Sequence, residues 1–445
     1  IVAGLAILAG RTPGTAFGGD YRVDDLTTYL DVLFTAVVAL TLMFAPDYLA
    51  ARDLPLPEFA AVLLFALSGV MLISASGDLL ILFLGLELMV LPGYLLVAFA
   101  KRDALSTEGA IKYFLLGSFS SAIFLFGLAF VWGLTGTTKI DGVATALTAI
   151  GSGSTPLGPG LAMGLAFMTT GVAFKIAAVP FHYWTPDAYQ GSPTPVTGYL
   201  SVVPKVGAFA LILRLFVGAL GPIHADWDIV IVLLAVATMT MGNLVALTQD
   251  SVKRMLAYSS IAHTGYMLVG LAAWSSPNSR IEGLEGLLYY GAAYASMNLG
   301  AFAVVAAIQR RTGISSQLEN FAGLGRRQPF LAVMMTLFLL SLVGIPPTTG
   351  FFAKAYVILA AVQAGGPAGI LAVITVLNAA FGAFYYLRVI VYMFMRDSTR
   401  QPAPIVVGRL MRTGLIISAI LTIVLGLVPG LILPVVSNAA RALTL

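Results

Sequence analysis

Long apolar runs, separated by short polar or glycine- and proline-containing stretches, fill most of this 445-residue chain. A helix needs about 20 apolar residues to cross the hydrocarbon core of a bilayer, and each run has roughly that length. Hydrophobic residues make up 59% of the chain and charged residues 10%, whereas a soluble domain carries about 25% charged residues. We therefore expect an all-α, polytopic membrane protein. The runs predict twelve spans, at 22–45, 57–76, 79–100, 108–135, 159–190, 193–219, 227–248, 253–274, 283–309, 329–363, 367–395 and 410–438.

Two of these runs, 159–190 and 329–363, are too long for one straight crossing and contain internal prolines. Pro180 interrupts the first run, and Pro346 and Pro347 interrupt the second. We interpret each run as one discontinuous helix, because counting either as two crossings would scatter the basic residues over both ends of the molecule.

The basic residues of the loops are distributed unequally. With the twelve spans above, alternate loops collect thirteen basic residues at one end and only Lys139 and Arg280 at the other. The thirteen are Arg52, Lys101, Arg102, Lys253, Arg254, Arg310, Arg311, Arg326, Arg327, Arg396, Arg400, Arg409 and Arg412. Since Lys and Arg are retained on the cytoplasmic side, this Arg-rich end is predicted to face the cytoplasm, or the matrix or stroma of an organelle. Leu445 is then predicted to lie outside.

The two broken runs divide the chain into two comparable units of five spans, at 57–219 and 227–395. An odd number of crossings per unit predicts that the second unit is inverted relative to the first. The remaining segments are 1–56, with a helix remnant and the first complete span, and 410–445, with a C-terminal helix. The glycine-rich stretch 151–158 lacks the lysine and the flanking strand of a phosphate loop, so we expect 136–158 to be a flexible outer loop.

Ionisable side chains lie deep inside several of these runs. Glu87, Lys175, Lys205 and His263 fall near the middle of four different spans and so share one depth in the membrane. Lys354 follows the break of the second discontinuous helix. A charge at such depth is costly and usually faces a partner or a water-filled cavity. The shared depth predicts a relay for protons or ions along the membrane plane.

Glu87 is interpreted as the group that modulates Lys175, because it is the only acid that this reasoning places at mid-depth. Burial lowers the pKa of a lysine from about 10.4 towards neutrality, and a nearby carboxylate raises it again. Moving such a pair together or apart would change the proton affinity of the lysine without any cofactor. The alternative is a static buried ion pair that fixes helix packing. Lys205 has no evident acidic partner, which favours a carrier role.

Four residues near helix ends and breaks are secondary candidates. Glu108 and Lys112 are spaced i, i+4, which is typical of an intrahelical ion pair, with proton entry or subunit contact as the alternative. His182 and Asp187 follow the first break and could either join the relay or stabilise helix packing. Arg214, near the end of its span, is expected to extend its guanidinium towards the interface.

The composition also limits the chemistry of this chain. It has no cysteine, which excludes disulfides, thiolate catalysis and cysteine ligation of zinc or iron–sulfur clusters. Its three histidines, His182, His224 and His263, lack the paired spacing of metal or haem ligands. We therefore expect neither a metal nor a redox cofactor in this chain. A net charge of +4 on loop residues does not indicate nucleic-acid binding.

Four motifs carry a family resemblance: LGLEL at 84–88, FKIAAVPFHYWTPDAYQGSPTPV at 174–196, KRMLAYSSIAH at 253–263 and IPPTTGFFAK at 345–354. Together they resemble the signatures of the proton-translocating subunits of respiratory complex I and the related Mrp-type antiporters. The resemblance covers the chain from about residue 22 onward. Two sibling subunits tend to carry a histidine where this chain has Tyr189, and one of them has glutamate in place of Lys354. The chain is therefore most similar to a third member of the complex I group.

The resemblance implies roles for individual residues. Glu87 and Lys175 would form a coupled pair, Lys205 would be the central proton carrier, and Lys354 would be the far terminal site. It also implies a fold of fourteen helices with two inverted five-helix repeats, each with one discontinuous helix. The first helix and most of the second would then be absent from this sequence, and Ile1–Gly10 is interpreted as the tail of a helix.

The function that the resemblance implies is proton translocation in the membrane arm of NADH:quinone oxidoreductase, driven by quinone reduction elsewhere in the assembly. NADH, flavin, iron–sulfur clusters and quinone would belong to partner subunits. The expected neighbours are antiporter-like subunit M, subunit K, the lateral helix of subunit L and the lipid bilayer. The expected location is the bacterial inner membrane, with an organellar energy-coupling membrane as the alternative. The rival functions are a subunit of an Mrp-type cation/proton antiporter and a non-transporting membrane scaffold.

Overall fold

A computed structural model describes residues 2–10, 12–151, 158–309, 315–397 and 405–443. Helices dominate this part of the chain, as the apolar runs predict, and the two short strands form one hairpin near the N-terminus. The strands are β1 (Gly14–Ala16) and β2 (Tyr21–Val23). The helices are α1 (Val2–Gly10), α2 (Asp25–Ala50), α3 (Leu56–Ser74), α4 (Leu79–Val97), α5 (Ala104–Thr135), α6 (Ile140–Gly151), α7 (Pro159–Lys175), α8 (Trp184–Gly191), α9 (Thr194–Ile212), α10 (His224–Ala246), α11 (Val252–Trp274), α12 (Arg280–Ile308), α13 (Leu324–Arg327), α14 (Pro329–Val343), α15 (Thr349–Ala364), α16 (Gly366–Met395), α17 (Arg409–Leu427) and α18 (Leu433–Arg441).

Nine helices within the described ranges are long and apolar enough to cross a membrane. Two of them, α12 and α9 with its π-helical continuation Leu213–Ala219, are enclosed almost completely by the rest of the chain. The neighbouring α11 is buried along nearly its whole length. Helices α3, α5, α10 and α16 expose much more of their apolar surface. The core of the bundle is therefore the group α9, α11 and α12, and the outer helices present the surface that suits lipid.

Glycines bring α10 and α11 into very close contact. A Cβ atom added at Gly242 would lie 2.6 Å from the backbone nitrogen of Ala262, and one at Gly265 would lie 2.5 Å from that of Met239. Both distances are too short for any residue larger than glycine without a backbone shift. The backbones of α10 and α11 are consequently in close contact on this face.

The first discontinuous helix consists of α7 and α8, which are separated by residues 176–183. The connection contains Ala177 in the left-handed region, with φ of 58°, and a cis peptide bond before Pro180. The amide of Val179 donates to Thr238 Oγ1 of α10 at 3.0 Å. A non-helical backbone is tolerated at membrane depth only where its polar groups find such partners.

The second discontinuous helix consists of α14 and α15, and it is interrupted between Val343 and Thr349 as the two prolines predict. Gly344 ends α14 with φ of 94°, a left-handed conformation that glycine adopts without steric cost. Across the break, the Gly350 amide donates to Ser341 Oγ at 3.2 Å. The two fragments therefore stay joined by side-chain and backbone hydrogen bonds.

Two sequence predictions are wrong in detail. Residues 140–151 form helix α6 rather than a flexible loop, because Ile140, Val143 and Leu147 recur on one helical face and are fully buried. The rest of the glycine-rich stretch, 152–157, lies outside the described residues. The last predicted span, 410–438, is interrupted: α17 ends at Leu427, a 3₁₀ turn follows, and α18 begins at Leu433.

Contacts between loops agree with the predicted pairing of ends. The Arg52 guanidinium donates to the Gln309 carbonyl at 2.5 Å, and both loops are assigned to the Arg-rich end. At the opposite end, Lys139 pairs with Asp20, and Ser276 Oγ donates to the Ala364 carbonyl at 3.2 Å. Four residues used in the prediction lie outside the described residues, namely Arg310, Arg311, Arg400 and Leu445.

The break between α14 and α15 should be intolerant of added volume. A Cβ atom at Gly350 would overlap the Ser341 carbonyl, so Gly350→Ala is expected to cost about 1–3 kcal/mol of stability. The control is Gly133→Ala on α5, where the added Cβ meets open space. The measurement is the thermal denaturation temperature of the purified assembly together with the amount of subunit in membranes. Equal behaviour of the two variants would contradict the tight packing at the break.

Candidate functional site

Helix α11 lies between the two breaks and packs against α8, α9, α10, α12, α15 and α16. Three neighbouring polar residues on it, His263, Thr264 and Tyr266, contact different parts of the core. Thr264 contacts the first break, His263 contacts tyrosines of α12 and α16, and Tyr266 contacts Lys354. One helix therefore connects the ionisable residues of both halves.

Lys205 is buried in α9, with 1% of its surface exposed. Its Nζ donates to Thr264 Oγ1 at 3.4 Å and lies 6.0 Å from the ring centroid of Tyr189. The Thr264 hydroxyl in turn donates to the carbonyl of Ile176, at the end of α7, at 2.9 Å. No carboxylate forms an ion pair with Lys205 in the described part of the chain, which agrees with the sequence analysis. The ammonium is instead linked through Thr264 to the first break.

Lys175 is the last residue of α7 and is also buried. Its Nζ donates to Ser121 Oγ of α5 at 2.8 Å and lies 3.5 Å from the Gly117 carbonyl oxygen. Glu87 of α4 forms no ion pair with Lys175 within 4.0 Å, although its charge still acts on the ammonium. Helix α5 carries the groups that contact Lys175 directly. The predicted modulation of Lys175 by Glu87 would therefore have to act electrostatically over a distance, without a direct contact between the two side chains.

The side chain of Glu87 is only partly buried, but its Oε1 atom is enclosed and has no hydrogen-bond partner among the described residues. Tyr94 and Tyr113, which meet edge to face with ring centroids 4.6 Å apart, lie within the electrostatic range of this carboxylate. Glu87 is therefore held among aromatic rings rather than by a cation.

His263 is enclosed by tyrosines. Its Nδ1 lies 2.7 Å from the Tyr290 hydroxyl and its Nε2 lies 3.2 Å from the Tyr386 hydroxyl. The Tyr386 hydroxyl is also hydrogen-bonded to Ser259, one turn earlier on α11. The ring of Tyr294 is 5.1 Å from the imidazole. Both ring nitrogens thus have hydroxyl partners that can donate or accept, as a proton relay requires.

Lys354 caps the C-terminal end of α14, the first fragment of the second discontinuous helix. Its Nζ donates to the carbonyls of Leu342 and Val343, at 2.8 and 2.6 Å, which are the last two residues of α14. It also lies 5.1 Å from the ring centroid of Tyr266. Helix C-terminal carbonyls carry partial negative charge and attract cations. The buried ammonium is therefore stabilised by the half-helix itself, and the side chain points into the bundle, as predicted.

The secondary candidates form a cluster at the Arg-rich end. Lys112 pairs with Glu108 at 2.6 Å and with Asp187 at 2.8 Å. Asp187 also pairs with Arg254 of α11 at 2.8 Å. This chain of charges joins α5, α8 and α11 and fixes the second fragment of the first broken helix. Because the groups are partly exposed, each pair contributes modestly to stability.

His182 lies inside the first break and does not join this cluster. Its side chain is buried, its ring stacks on Tyr183 with centroids 4.6 Å apart, and its Nδ1 has no partner among the described residues. The charge of Lys205 acts on it at longer range. His182 and Asp187 are close in the sequence, but the structure places them in different surroundings.

Several buried charges were not identified from the sequence. Lys253, counted as a loop residue, is buried and donates to the carbonyls of Ser192 and Gln190 at 2.7 and 3.2 Å. Arg214 does not extend to the interface: it is buried and pairs with Asp24 at 2.7 Å. Asp31, the seventh residue of α2, is a second buried acid inside a predicted span, although it lies nearer to a helix end than Glu87 does. A carboxylate inside an apolar run was the signal available for Asp31.

Within the described residues, no group of three His, Asp or Glu side chains is arranged to hold a metal ion. The side chains that meet at the two breaks are lysines, a histidine, tyrosines and hydroxyl residues. Each of these types can bind and release a proton or pass one along a hydrogen bond. The arrangement is suited to proton transfer rather than to bond-forming catalysis.

Comparison with known proteins agrees with this geometry. The profile of the family described as NADH:quinone oxidoreductase/Mrp antiporter, transmembrane, matches residues 76–382, which include both breaks and all five relay candidates. The chain belongs to this family. Subunit N of NADH-quinone oxidoreductase from Trichlorobacter lovleyi is 40% identical over 440 residues, which are 99% of this chain and 88% of the relative.

Solved structures support the same assignment. A chain of respiratory complex I from Thermus thermophilus, with bound aureothin, aligns with a TM-score of 0.77 and 31% identity over 97% of this chain and 90% of that chain. A chain of the Mrp complex from Dietzia aligns with a TM-score of 0.85 but 22% identity, over 99% of this chain and 90% of that chain, and shows the common fold alone. The named relatives are N subunits, which confirms the closer similarity to a third member of the complex I group.

Lys354 allows its two possible roles to be separated. In Lys354→Arg, a guanidinium can still hold the carbonyls of Leu342 and Val343 but cannot release a proton at neutral pH. We expect this variant to assemble normally. Its rate of proton translocation should fall about tenfold or more, because Lys354 can no longer transfer a proton. The measurement is proton uptake into inverted membrane vesicles during NADH oxidation, with blue-native electrophoresis to check assembly. Full proton uptake in Lys354→Arg would instead assign Lys354 to helix capping only.

Proposed function

We propose that this chain moves protons through the membrane by a relay of Lys175, Lys205, His263 and Lys354, modulated by Glu87 and driven by quinone reduction elsewhere in NADH:quinone oxidoreductase. The observation that carries the proposal is the position of α11. Its Thr264 contacts Lys205 and the end of α7, while its Tyr266 contacts Lys354 at the end of α14. A relay across the two halves needs such a connection.

In the resting arrangement, Lys205 is held by a neutral hydroxyl and by an aromatic ring, with no carboxylate to fix its proton. A weakly held ammonium in an apolar core releases its proton more readily than one in an ion pair. The proton would pass from Lys205 to the hydroxyl groups around His263 and then to Lys354. Release to the opposite end from Lys354 would complete the cycle.

Glu87 supplies the control in this scheme. Its carboxylate acts on Lys175 without contacting it, and Lys175 rests on Ser121 instead. A change in the charge of Glu87, or in the position of α5 between the two, would alter how strongly Lys175 holds its proton. That change would pass on to Lys205, because the break that follows Lys175 contains the Ile176 carbonyl held by Thr264.

The proposed setting is the bacterial inner membrane, with the Arg-rich end in the cytoplasm and the C-terminus outside. The proposed neighbours are antiporter-like subunit M, subunit K and the lateral helix of subunit L. NADH, flavin, iron–sulfur clusters and quinone would be held by partner subunits, and this chain would contribute no redox group. The secondary residues Glu108, Lys112, His182 and Asp187 would support the first broken helix or proton entry.

A subunit of an Mrp-type cation/proton antiporter is the second candidate, because a chain of the Mrp complex shares the fold. The higher identity to N subunits favours the complex I assignment. A non-transporting scaffold is the third candidate. Co-purification with redox subunits separates the first two candidates, and the variants below test the third.

Replacement of Lys205 tests the relay directly. Lys205→Ala should leave assembly largely intact, because the ammonium makes only one weak hydrogen bond, but should reduce proton translocation about tenfold or more together with the coupled NADH–quinone activity. Lys205→Arg should also impair translocation, since a guanidinium keeps its proton. The measurement is proton uptake and quinone reduction in the same vesicles. Normal uptake in both variants would exclude the relay.

Replacement of Glu87 tests the control step. Glu87→Gln keeps the shape and the hydrogen-bonding capacity of the side chain but removes its charge, so we expect slower proton uptake with a retained amount of assembled complex. Lys175→Ala should have the same effect, and the double variant should be no worse than either single variant. Additive losses in the double variant would show that the two residues act independently.

A further inference from the structure

A buried acid that the proposed relay does not use lies at the opposite end of the molecule from the Arg-rich loops. Asp31 is the seventh residue of α2, about 9 Å along the helix from its start, and only 4% of its surface is exposed. Its carboxylate accepts one hydrogen bond, from Ser74 Oγ at 2.6 Å. An ionisable group inside a membrane helix is costly to bury and usually marks an ion or proton pathway.

The charges around Asp31 leave its carboxylate without a cation of its own. Arg214 pairs with Asp24 through two contacts, at 2.7 and 2.8 Å. Two further donors of this guanidinium go to the Thr27 hydroxyl at 2.9 Å and the Ser74 carbonyl at 2.9 Å. The cluster therefore contains two carboxylates and one guanidinium, and among the described residues the guanidinium pairs with Asp24 rather than with Asp31. Asp31 is the member that can gain or lose a proton while the ion pair stays intact.

The cluster is connected to the relay by α9. Arg214 lies on the same continuous helix as Lys205, nine residues further on, which is about 13 Å along the axis. Arg214 lies within the π-helical segment Leu213–Ala219, and π-helical segments inside α-helices occur frequently at functional sites. Helix α2, which carries Asp31, packs against α9.

A small cavity lies between α2, α9, α11 and α12. Its lining includes Leu30, next to Asp31, and Val206, next to Lys205, together with Phe209 and Leu213 of the same helix face. The lining is apolar, and cavities of this kind exclude water unless they widen. In channels, an apolar constriction of this kind conducts only after it becomes hydrated.

We propose that Asp31 is a proton-release group, which accepts a proton from Lys205 across this cavity and passes it to the end of the molecule opposite the Arg-rich loops. This inference rests on the proposed relay and adds an exit within the first half of the chain. Arg214 and Asp24 hold Ser74 and the start of α2 in place around Asp31. The phenol of Tyr21 lies on the outward side, within electrostatic range of the carboxylate.

The test compares three variants of the assembled complex in inverted membrane vesicles. Asp31→Asn keeps the shape of the side chain and its contact with Ser74 but cannot carry a proton. We expect it to assemble and to lower the protons taken up per quinone reduced, but by less than Lys205→Ala does, because release from Lys354 remains. Asp25→Asn is the matched control, because Asp25 is an exposed acid of the same helix, and it should behave as the unmodified protein.

The outcomes separate the two proposals. Normal proton uptake in Asp31→Asn with defective Lys205→Ala overturns the release role alone, whereas normal uptake in both variants overturns the relay. If Asp31→Asn does not assemble, Asp31→Glu retains the acid, and its proton uptake should respond to pH differently from that of the unmodified complex. Asp24, Arg214 and Tyr21 are the charged or titratable groups that face this site, and they are unchanged in that variant. An unaltered pH profile overturns the release role.

Discussion

Every backbone carbonyl and amide inside a membrane needs a partner from the protein, and this requirement organises the whole site. Two helices are broken at mid-depth, and each break leaves carbonyls that no helical turn can satisfy. The Ile176 carbonyl is satisfied by Thr264, and those of Leu342 and Val343 by Lys354. The groups that complete the backbone are thus the proposed proton carriers or their direct neighbours. Structure and function share the same hydrogen bonds.

The lysines are stabilised without fixed counter-charges. Lys175 donates a hydrogen bond to a serine hydroxyl, and Lys205 donates one to a threonine hydroxyl and lies near an aromatic ring. Lys354 donates to carbonyls at the C-terminal end of a helix. Each partner is a neutral dipole, so it stabilises the charged form less than a carboxylate would. Buried ion pairs do occur, as between Arg214 and Asp24, but at the edge of the bundle. The lysines of the core thus contact neutral groups, which suits the proton exchange that we propose for them.

Local signals explain which features could be predicted from the sequence. Pro346 and Pro347 remove amide donors and so predict the break between α14 and α15, and the apolar runs predict most helix positions within a few residues. The tyrosines around His263 were not predicted, because Tyr290 and Tyr386 lie on other helices and look like ordinary members of apolar runs. The pairing of Asp24 with Arg214 spans 190 residues and depends on the packing of α2 against α9. Helix α6 was missed because its flanking glycines suggested a loop.

The backbone contact between α10 and α11 has a consequence for the speed of the relay. With Gly242 and Gly265 against the facing backbone, α11 packs directly on α10, and sliding between these two helices would disrupt this contact. Rocking motions of whole helices take microseconds to milliseconds, whereas side-chain rotations take picoseconds to nanoseconds. In the proposed relay, the steps along α11 would belong to the fast class, because rotation of hydroxyl groups and lysine side chains would carry them. A slower step that limits turnover would then lie outside this helix, in the elements that deliver or remove charge.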